Sequence, residues 1–195
     1  MMPAAALPGT MAVYGGSFDP PHAAHYLLAS YALAVAGFER VLVVPVLEHP
    51  FDKPLCPFEE RLELCRRCFA ELPRVEVSGI EAELPRPSYT LRLLERLQSD
   101  RPGVPLRLIV GSDVLGETSR WHDFERVTRL APPFVINRRG FERPELGPAL
   151  LPEVSSTQVR ALLARRGEPD AESELSWLLP ARVRERIAER GLYLG

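Results

Sequence analysis

Short strand-like segments alternate with longer helical patterns along this chain, and this alternation restricts its fold more than any other feature. Segments that are apolar at nearly every position fit strands buried on both faces, as in a parallel sheet. Five segments predict strands, at residues 11–14, 40–46, 75–80, 106–110 and 133–137. Helical patterns lie between and after them, at residues 25–36, 58–72, 88–98, 121–130, 156–166 and 181–190. The sequence therefore predicts an α/β fold, a Rossmann-like doubly wound parallel sheet with a short helical C-terminal part.

The bulk properties of the chain bear on its domain organisation and partners. The 195 residues suit one domain, which we assign to residues 11–195, with a helical C-terminal part from about residue 155 and a loose N-terminal extension at residues 1–10. The net charge is −2, so we expect no nucleic-acid partner. No apolar run reaches the length of a membrane span. The three cysteines give no disulfide framework, which favours a cytoplasmic location.

The stretch GGSFDPPHAAH, at residues 15–25, directly follows the first predicted strand. Glycines at a strand end let a ligand approach the backbone closely, and Pro21 fits the first turn of a helix. A helix N-terminus offers unpaired N–H groups and a partial positive charge, which favour phosphate. His22 and His25 can face the same side of that helix. The stretch predicts a phosphate-binding corner, although a strand-turn-helix with two incidental histidines fits the same residues.

A second segment, VSSTQVR at residues 154–160, suits the same chemistry. Ser155 or Ser156 can cap the helix that follows, and Ser156 and Thr157 add hydroxyl groups beside its free N–H groups. Arg160 lies one turn further on and carries a planar guanidinium that can bind phosphate in a bidentate manner. The segment predicts a second anion site, although an ordinary capped helix with a surface arginine fits it too.

Ligands of parallel sheets bind beyond the carboxyl ends of the strands. Three segments lie there: residues 15–25 after the first strand, residues 48–53 after the second and residues 111–113 after the fourth. The second of them carries Lys53, the only lysine in the chain. We therefore expect the three segments to border one site.

Together these segments resemble the paired signatures of the nucleotidyltransferase superfamily, (T/H)xGH after the first strand and SSTxxR near the last helices. Within the superfamily the chain is most similar to the bacterial nicotinate-mononucleotide adenylyltransferases, over nearly all of residues 11–195. Further matches to that family are Glu60-Arg61, SYT at residues 88–90, GSDVL at residues 111–115, Trp121 and the ending GLY at residues 191–193.

The resemblance implies transfer of AMP from ATP to nicotinate mononucleotide in NAD biosynthesis, which gives deamido-NAD and pyrophosphate. It implies three catalytic residues, His22, His25 and Arg160. It implies an ATP site formed by Gly15, Gly16, Ser17, Phe18, His22, His25, Gly111, Asp113, Ser156, Thr157 and Arg160. It implies a pyridine-nucleotide site formed by Ser17, Lys53, Thr90, Trp121 and His122. Trp121 would stack on the pyridine ring, and amides near Thr90 and His122 would bind the nicotinate carboxylate.

The resemblance also bears on ions and assembly. Mg²⁺ would be carried mostly by the ATP phosphates and water, with no metal site made by the protein itself. A homo-oligomer stays open. In place of the family's glycine before the second histidine stands Ala24, whose methyl group would obstruct the approach to the backbone. Asp52 replaces a histidine, and Arg92 and Leu93 replace Asp-Thr after the SYT motif.

Other interpretations of these residues remain open. Cys65 and Cys68 fit a metal or redox pair, but their helical, apolar surroundings favour core cysteines. Asp19 and the two histidines could bind zinc. Among enzymes, class I aminoacyl-tRNA synthetases would need a lysine-rich second signature, whereas phosphopantetheine adenylyltransferase is a closer alternative, as is activity on nicotinamide mononucleotide. A catalytically degenerate paralogue that binds nucleotide without turnover is the alternative outside the enzymes.

Overall fold

A computed structural model describes residues 9–48, 54–116, 121–149 and 151–194 of the chain. Five parallel strands form one sheet in the order β3-β2-β1-β4-β5. The strands are β1 (Met11–Gly16), β2 (Arg40–Pro45), β3 (Val75–Val77), β4 (Leu106–Gly111) and β5 (Pro133–Ile136). The α-helices of the described residues are α1 (Ala23–Ala34), α2 (Phe58–Phe69), α3 (Thr90–Asp100), α4 (Phe124–Leu130), α5 (Ser156–Leu163), α6 (Pro169–Leu178) and α7 (Ala181–Arg190). Short 3-10 helices lie at Ile80–Glu83 and Pro144–Leu146.

Successive side chains of the central strands point to opposite faces of the sheet, and each face has its own apolar core. Ala12 of β1 packs with residues from α1, α2 and the three C-terminal helices on one face. Val13, the next residue, packs on the other face with residues from the first 3-10 helix, α3 and α4. The predicted doubly wound α/β fold is therefore confirmed, and its continuous apolar strands are explained by burial on both faces.

The side on which strands are added to the sheet changes between β1 and β4. The chain builds β1, β2 and β3 outward in one direction and then returns to place β4 on the other side of β1. Such a switch point leaves a crevice at the carboxyl ends of the two strands, where ligands of this fold class bind. Gly16 ends β1 and Gly111 ends β4, so the segments predicted to bind phosphate and nucleotide border this crevice.

Several predicted element bounds are corrected by the structure. Helix α1 begins at Ala23, and Pro21 lies before its N-cap residue rather than in its first turn. Strand β3 pairs with β2 over three residues only, and Ile80 begins a 3-10 helix instead of ending the strand. Helix α4 begins at Phe124, which leaves Trp121 in the preceding turn. Helix α5 ends at Leu163, three residues before its predicted end.

Helix α6 was not predicted at all, so the closing part of the chain holds three helices instead of two. Only Ala171 and Leu175 of this helix are fully buried, and the exposed fraction of Trp177 is 81%. Two buried positions are too few to produce the apolar stripe by which a helix is recognised in a sequence. No helix among the described residues is long and apolar enough to cross a membrane.

Cys65 and Cys68 lie on the buried side of α2, in the core between that helix and the sheet. Their side chains are 0% and 3% exposed, and both are free thiols. The interpretation of these residues as core cysteines agrees with this placement.

Candidate active site

The turn after β1 is shaped by packing between a glycine and an aromatic ring. Phe18 is buried and has a φ of 47°, a backbone conformation that is uncommon for a residue with a side chain. Its ring contacts Tyr14 and His25 edge-on, with centroid distances of 5.2 and 4.9 Å. A Cβ atom at Gly16 would lie only 3.2 Å from the same ring. Gly16 therefore makes room for Phe18, which in turn supports one of the two predicted catalytic histidines.

His22 and His25 lie side by side at the start of α1, with ring centroids 3.8 Å apart. His22 is the N-cap residue, and its backbone N–H donates to Nδ1 of His25 at 3.1 Å. Because Nδ1 of His25 accepts this bond, the proton of the neutral ring lies on Nε2, where it can be donated to a ligand. Nδ1 of His22 is buried without a hydrogen-bond partner in the described part of the chain.

Burial, assisted by the positive charge of Arg138, lowers the pKa of His22 to about 4. The pKa of His25 is lowered well below its ordinary value, mainly by burial and further by His22 and Arg138. Both rings are therefore neutral at physiological pH before a ligand binds. A bound triphosphate would raise both pKa values, because an adjacent negative charge favours the protonated ring.

The second predicted segment docks directly onto the first. Oγ of Ser156 donates to the backbone carbonyl of Pro20 at 3.0 Å. The guanidinium of Arg160 donates to the backbone carbonyl of Asp19 at 2.6 Å and lies 3.5 Å from its carboxylate. Its other nitrogen donates to Oγ1 of Thr157 at 3.3 Å. The two segments are more than 130 residues apart in the chain, yet they form one continuous polar wall.

Asp19 connects this wall to two further parts of the chain. Its carboxylate is 2% exposed and accepts hydrogen bonds from the Tyr193 hydroxyl at 2.8 Å and from the Cys56 backbone N–H at 3.2 Å. Burial and the nearby Asp19 charge raise the pKa of Tyr193, which therefore stays protonated as a donor. The Asp19 carboxylate, which also faces Arg160, therefore has its hydrogen-bond partners within the protein.

On the other side of the switch point, β4 and β5 place an ion pair at the edge of the crevice. Nη1 of Arg138 donates to Oδ2 of Asp113 at 3.0 Å, while Oδ1 of Asp113 has no hydrogen-bond partner among the described residues. The backbone N–H of Arg138 donates to Oγ of Ser112 at 2.9 Å. A side chain at Gly111 would clash with the Asp113 carboxylate and with Arg138. A larger residue where β4 ends would therefore displace this ion pair.

A stack of rings forms the far side of the crevice. The rings of Tyr89 and His122 are nearly parallel, with centroids 4.5 Å apart, and the guanidinium of Arg92 lies 5.4 Å from the Tyr89 ring. Arg92 also donates to the backbone carbonyls of Pro85 and Pro87, each at 2.9 Å. Trp121 contacts Phe124 edge-on at 5.7 Å. The unexpected Arg92 thus stabilises the segment that leads into α3.

One cleft contains all the predicted site residues that the structure describes. Its volume of about 1700 Å³ exceeds the roughly 300–1,000 Å³ of a pocket for one small ligand, so two nucleotides can be accommodated. Around the phosphate corner the cleft is lined by Gly15, Gly16, Ser17, Phe18, His22, His25, Ser156, Thr157 and Arg160. Elsewhere it is lined by Gly111, Asp113, Thr90, Trp121 and His122. Lys53 and Asp52 lie outside the described residues, and the roles assigned to individual residues stay predictions.

Sequence reasoning missed several residues of this cleft. Arg138 lies two residues after the end of β5, so the rule that ligands bind beyond strand ends could have identified it. Arg61 and Glu81 are buried charged residues, 1% and 3% exposed, that also border the cleft. Tyr193 was noted only as part of a typical ending. Arg61 was noted only as part of a family match, without a role, and no local pattern indicates the contacts that these last three residues make.

An open parallel sheet whose switch point is bordered by two segments predicted to bind phosphate is typical of the nucleotide-binding α/β proteins. Residues 13–162 match the cytidylyltransferase-like family model. A probable nicotinate-nucleotide adenylyltransferase of Anaeromyxobacter sp. (strain K) is 44% identical over 188 residues, which cover 95% of this chain and 97% of that protein. The corresponding protein of Myxococcus xanthus is 39% identical and covers 94% of each chain.

Solved structures support the same fold. The nicotinic acid mononucleotide adenylyltransferase of Plasmodium falciparum, complexed with NaAD, superimposes with a TM-score of 0.76 at 18% identity, over 94% of this chain and 97% of that chain. A Vibrio parahaemolyticus structure described as a "Putative Nicotinate-nucleotide Adenylyltransferase" gives a TM-score of 0.69 at 20% identity, over 94% of each chain. The chain belongs to the cytidylyltransferase-like family, and within it to the nicotinate-nucleotide adenylyltransferases. The family predicted from the motifs is confirmed.

Proposed function

We infer that the protein transfers AMP from ATP to nicotinate mononucleotide and forms deamido-NAD and pyrophosphate, a step of NAD biosynthesis. The observation that carries this inference is the docking of Ser156 and Arg160 onto the backbone of Asp19 and Pro20. It brings two phosphate-binding segments to one end of a cleft whose other end is lined by aromatic rings. A cleft with a phosphate end and an aromatic end suits a triphosphate and a pyridine nucleotide together.

The reaction requires little proton chemistry. An oxygen of the nicotinate mononucleotide phosphate attacks the α-phosphorus of ATP, and the bond from that phosphorus to the bridging oxygen breaks as pyrophosphate leaves. Catalysis then consists of alignment and stabilisation of negative charge. The Nε2–H group of His25 can donate to a phosphate oxygen, and His22 lies beside it. Arg160, the hydroxyl group of Thr157 and the backbone N–H of Ser156, which begins α5, bind the leaving pyrophosphate.

Oδ1 of Asp113 is an unused acceptor at the end of β4, which supports its assignment to the adenosine half of ATP, where it can accept from a ribose hydroxyl group. Trp121 and the Tyr89–His122 stack support a pyridine site at the aromatic end. The name of the Plasmodium structure includes NaAD, the dinucleotide that this reaction forms.

Mg²⁺ would supply charge neutralisation on the triphosphate. We assign it mainly to the phosphates and water, because no group of three His, Cys, Asp or Glu side chains among the described residues is placed to hold a metal ion. A cytoplasmic location stays a prediction, supported by three free cysteines. A homo-oligomer also remains open.

A substrate comparison tests the proposal. Purified protein is incubated with ATP and Mg²⁺ together with nicotinate mononucleotide, nicotinamide mononucleotide or phosphopantetheine, and pyrophosphate release is followed. We expect the highest kcat/KM with nicotinate mononucleotide. A preference for the amide would change the substrate assignment, and ATP binding without pyrophosphate release from any of the three would indicate a nucleotide-binding protein that has lost turnover.

The two tryptophans of the chain allow a matched test of the pyridine site. Trp121→Ala is expected to raise KM for the pyridine nucleotide with little change in KM for ATP, because the stacking surface is lost. Trp177→Ala is the control, since Trp177 lies on α6 and does not border the cleft. In a Trp177→Phe protein, fluorescence quenching by nicotinate mononucleotide would report on Trp121 directly. An effect of Trp121→Ala on ATP alone would contradict the stacking role.

A further inference from the structure

The peptide units of Leu47 are held from both sides by buried charged side chains. The Leu47 carbonyl accepts a hydrogen bond from the Arg61 guanidinium at 3.1 Å. The Leu47 backbone N–H faces the carboxylate of Glu81 closely enough to lower the pKa of that group. Leu47 lies two residues after the end of β2, where the chain has left the sheet and borders the cleft. Two buried charged side chains, Arg61 and Glu81, thus face the backbone of one residue in an irregular segment. This indicates that the position of Leu47 is fixed by these side chains.

Arg61 extends this connection to the phosphate corner. Besides Leu47, its guanidinium donates to the carbonyls of Ser17 and Cys56, each at 2.8 Å. One side chain of α2 therefore joins the segments after β1 and β2 and the segment that precedes α2. A guanidinium has fixed, planar donor directions, so it determines the relative positions of the three carbonyl groups. Burial lowers the pKa of Arg61, and the Asp19 charge opposes this change.

Glu81 extends the connection to the opposite end of the cleft. Its carboxylate accepts a hydrogen bond from Oγ of Ser88, two residues before Thr90 begins α3. Burial raises the pKa of Glu81, while the hydrogen bonds from Ser88 and Leu47 lower it. The Ser88 hydroxyl group and the Leu47 backbone N–H both face this carboxylate, so it lies between two separate segments of the cleft wall.

We propose that Arg61 and Glu81 are positioning residues that act through Leu47 and set the distance between the phosphate corner at Ser17 and the pyridine side at Ser88. The proposal rests on the proposed function, which assigns the two substrates to these two ends. In-line attack requires the reacting atoms to be about 3–3.5 Å apart and aligned, so a small displacement between the half-sites lowers the rate strongly. Each half-site keeps its own binding groups when the connection is lost.

The proposal predicts a specific division between binding and turnover. Glu81→Ala should lower kcat by roughly 10- to 100-fold while the Kd values of the separate substrates change by less than about threefold. Glu81→Gln should restore most of the activity, because its amide oxygen can accept from Leu47 and its amide nitrogen can donate to Ser88. Arg61→Lys should lower kcat like Glu81→Ala, since an ammonium group cannot reproduce the planar set of three bonds. Ser88→Ala, a milder change, should lower kcat severalfold.

Matched controls lie on the same elements. Glu83→Ala removes a carboxylate from the same 3-10 helix, where it pairs with Arg96 at the surface. Arg67→Lys changes a partly exposed arginine of α2 that pairs with Glu63. Both should leave kcat unchanged.

Unfolding in urea and circular dichroism show whether each variant is folded under assay conditions. The double variant Arg61→Lys/Glu81→Ala should be no slower than the slower single variant, because both changes release the same residue. Wild-type kcat in folded Glu81→Ala and Ser88→Ala would overturn the proposal, as would fully additive losses in the double variant. If the wild-type protein releases no pyrophosphate, the proposed function fails and this inference fails with it. Active wild type with unaffected variants refutes the positioning role alone.

Discussion

The two histidines of the phosphate corner are buried as neutral rings, and this state defines what they can do. Nδ1 of His25 is occupied by the His22 backbone N–H, so His25 presents Nε2–H to the cleft. Each ring is kept neutral by burial and by positive charge from Arg138. Negative charge on a bound phosphate, which increases in the transition state, would be attracted to this positive charge. At the scale of single residues, the site is therefore complementary to an anion before the anion is bound.

Replacement of His22 should reduce turnover far more than stability at neutral pH. We expect His22→Ala to lower kcat by roughly 10²- to 10³-fold, the range for loss of one preorganised donor. His22→Asn, which retains an N–H donor of similar reach, should recover part of this loss. Initial rates with both substrates at saturation, compared with urea unfolding at pH 7.5, separate the two effects. Near wild-type kcat in His22→Ala would show that another group stabilises the transition state.

The same histidine predicts a pH dependence of stability. The pKa of His22 is about 4 in the folded protein and near 6.5 in an unfolded chain. Between these values the unfolded chain binds a proton that the folded protein does not, so the free energy of unfolding falls as pH decreases from 6.5 towards 4. Above pH 7 both states are neutral and His22 makes no pH-dependent contribution.

Near pH 4, the protonation of His22 in the unfolded chain lowers the free energy of unfolding by about 3 kcal/mol relative to pH 7. In His22→Gln the free energy of unfolding should therefore fall less between pH 7 and pH 4.5 than in the wild type. His122→Gln, a change at an exposed ring, is the control and should follow the wild-type curve. Parallel curves for wild type and His22→Gln would mean that the ring is not buried as a neutral group.

At the scale of elements, the predictions succeeded where a local sequence pattern determines the secondary structure. The apolar strands were located correctly because burial on both faces leaves an uninterrupted apolar run. The segments that follow β1 and β4 were assigned to the cleft because strand direction alone places them there. The third strand was predicted too long, since residues 78–80 turn into a 3-10 helix that a short apolar pattern does not reveal. The roles of Arg61 and Glu81 were not predicted, because their contacts with Ser17, Leu47 and Ser88 depend on how separate segments pack together.

The first turn of α1 allows a test of Ala24, whose methyl group borders the cleft. The N–H groups of His25 and Tyr26 donate to the carbonyl of His22, at 2.9 and 3.2 Å, which leaves the earlier N–H groups for a ligand. Ala24→Gly should lower KM for ATP, because phosphate can approach these groups more closely. It should also lower the free energy of unfolding by about 0.5–1 kcal/mol, the helix cost of glycine.

Ala23→Gly is the matched control for this prediction. Ala23 lies in the same turn but does not border the cleft, so the glycine should reduce stability similarly and leave KM for ATP unchanged. Steady-state kinetics and urea unfolding of both variants give the comparison. An equal decrease of KM in the two variants would trace the effect to helix flexibility instead of the methyl group.

Helix α4 orients the aromatic end of the cleft through its N-cap. Asp123 has a φ of 47°, and its carboxylate accepts from the Arg126 backbone N–H at 3.1 Å. Asp123→Ala should lower the free energy of unfolding by about 1 kcal/mol and raise KM for the pyridine nucleotide, because Trp121 and His122 immediately precede the cap. Asparagine tolerates the same backbone conformation and also caps helices, so Asp123→Asn should restore both quantities. If Asp123→Ala loses stability but keeps the wild-type KM, the N-cap does not position the substrate site.

At the scale of the whole molecule, the C-terminal part of the chain packs against the segment that follows the first strand. Helix α7 is fixed to α2 by ion pairs in which Glu60 binds Arg186 and Arg190, each at 3.1 Å. The chain then turns at Gly191, whose φ is 60°, and brings Tyr193 against Asp19. Segments 174 residues apart in sequence thus share one hydrogen bond beside the phosphate corner. The C-terminal part is therefore structurally part of the nucleotide site.

The contact between Tyr193 and Asp19 predicts that a change near the C-terminus lowers kcat/KM for ATP. Tyr193→Phe removes only the hydroxyl group that donates to Asp19, and should lower the free energy of unfolding by about 1–3 kcal/mol because a buried carboxylate loses a partner. Since Asp19 also contacts Arg160, we expect kcat/KM for ATP to fall while KM for the pyridine nucleotide changes little. Tyr193→Leu, which removes the ring as well, should be less stable than Tyr193→Phe yet show the same kinetic loss. Unchanged kcat/KM for ATP in folded Tyr193→Phe would show that Asp19 holds Arg160 without help from the C-terminal segment.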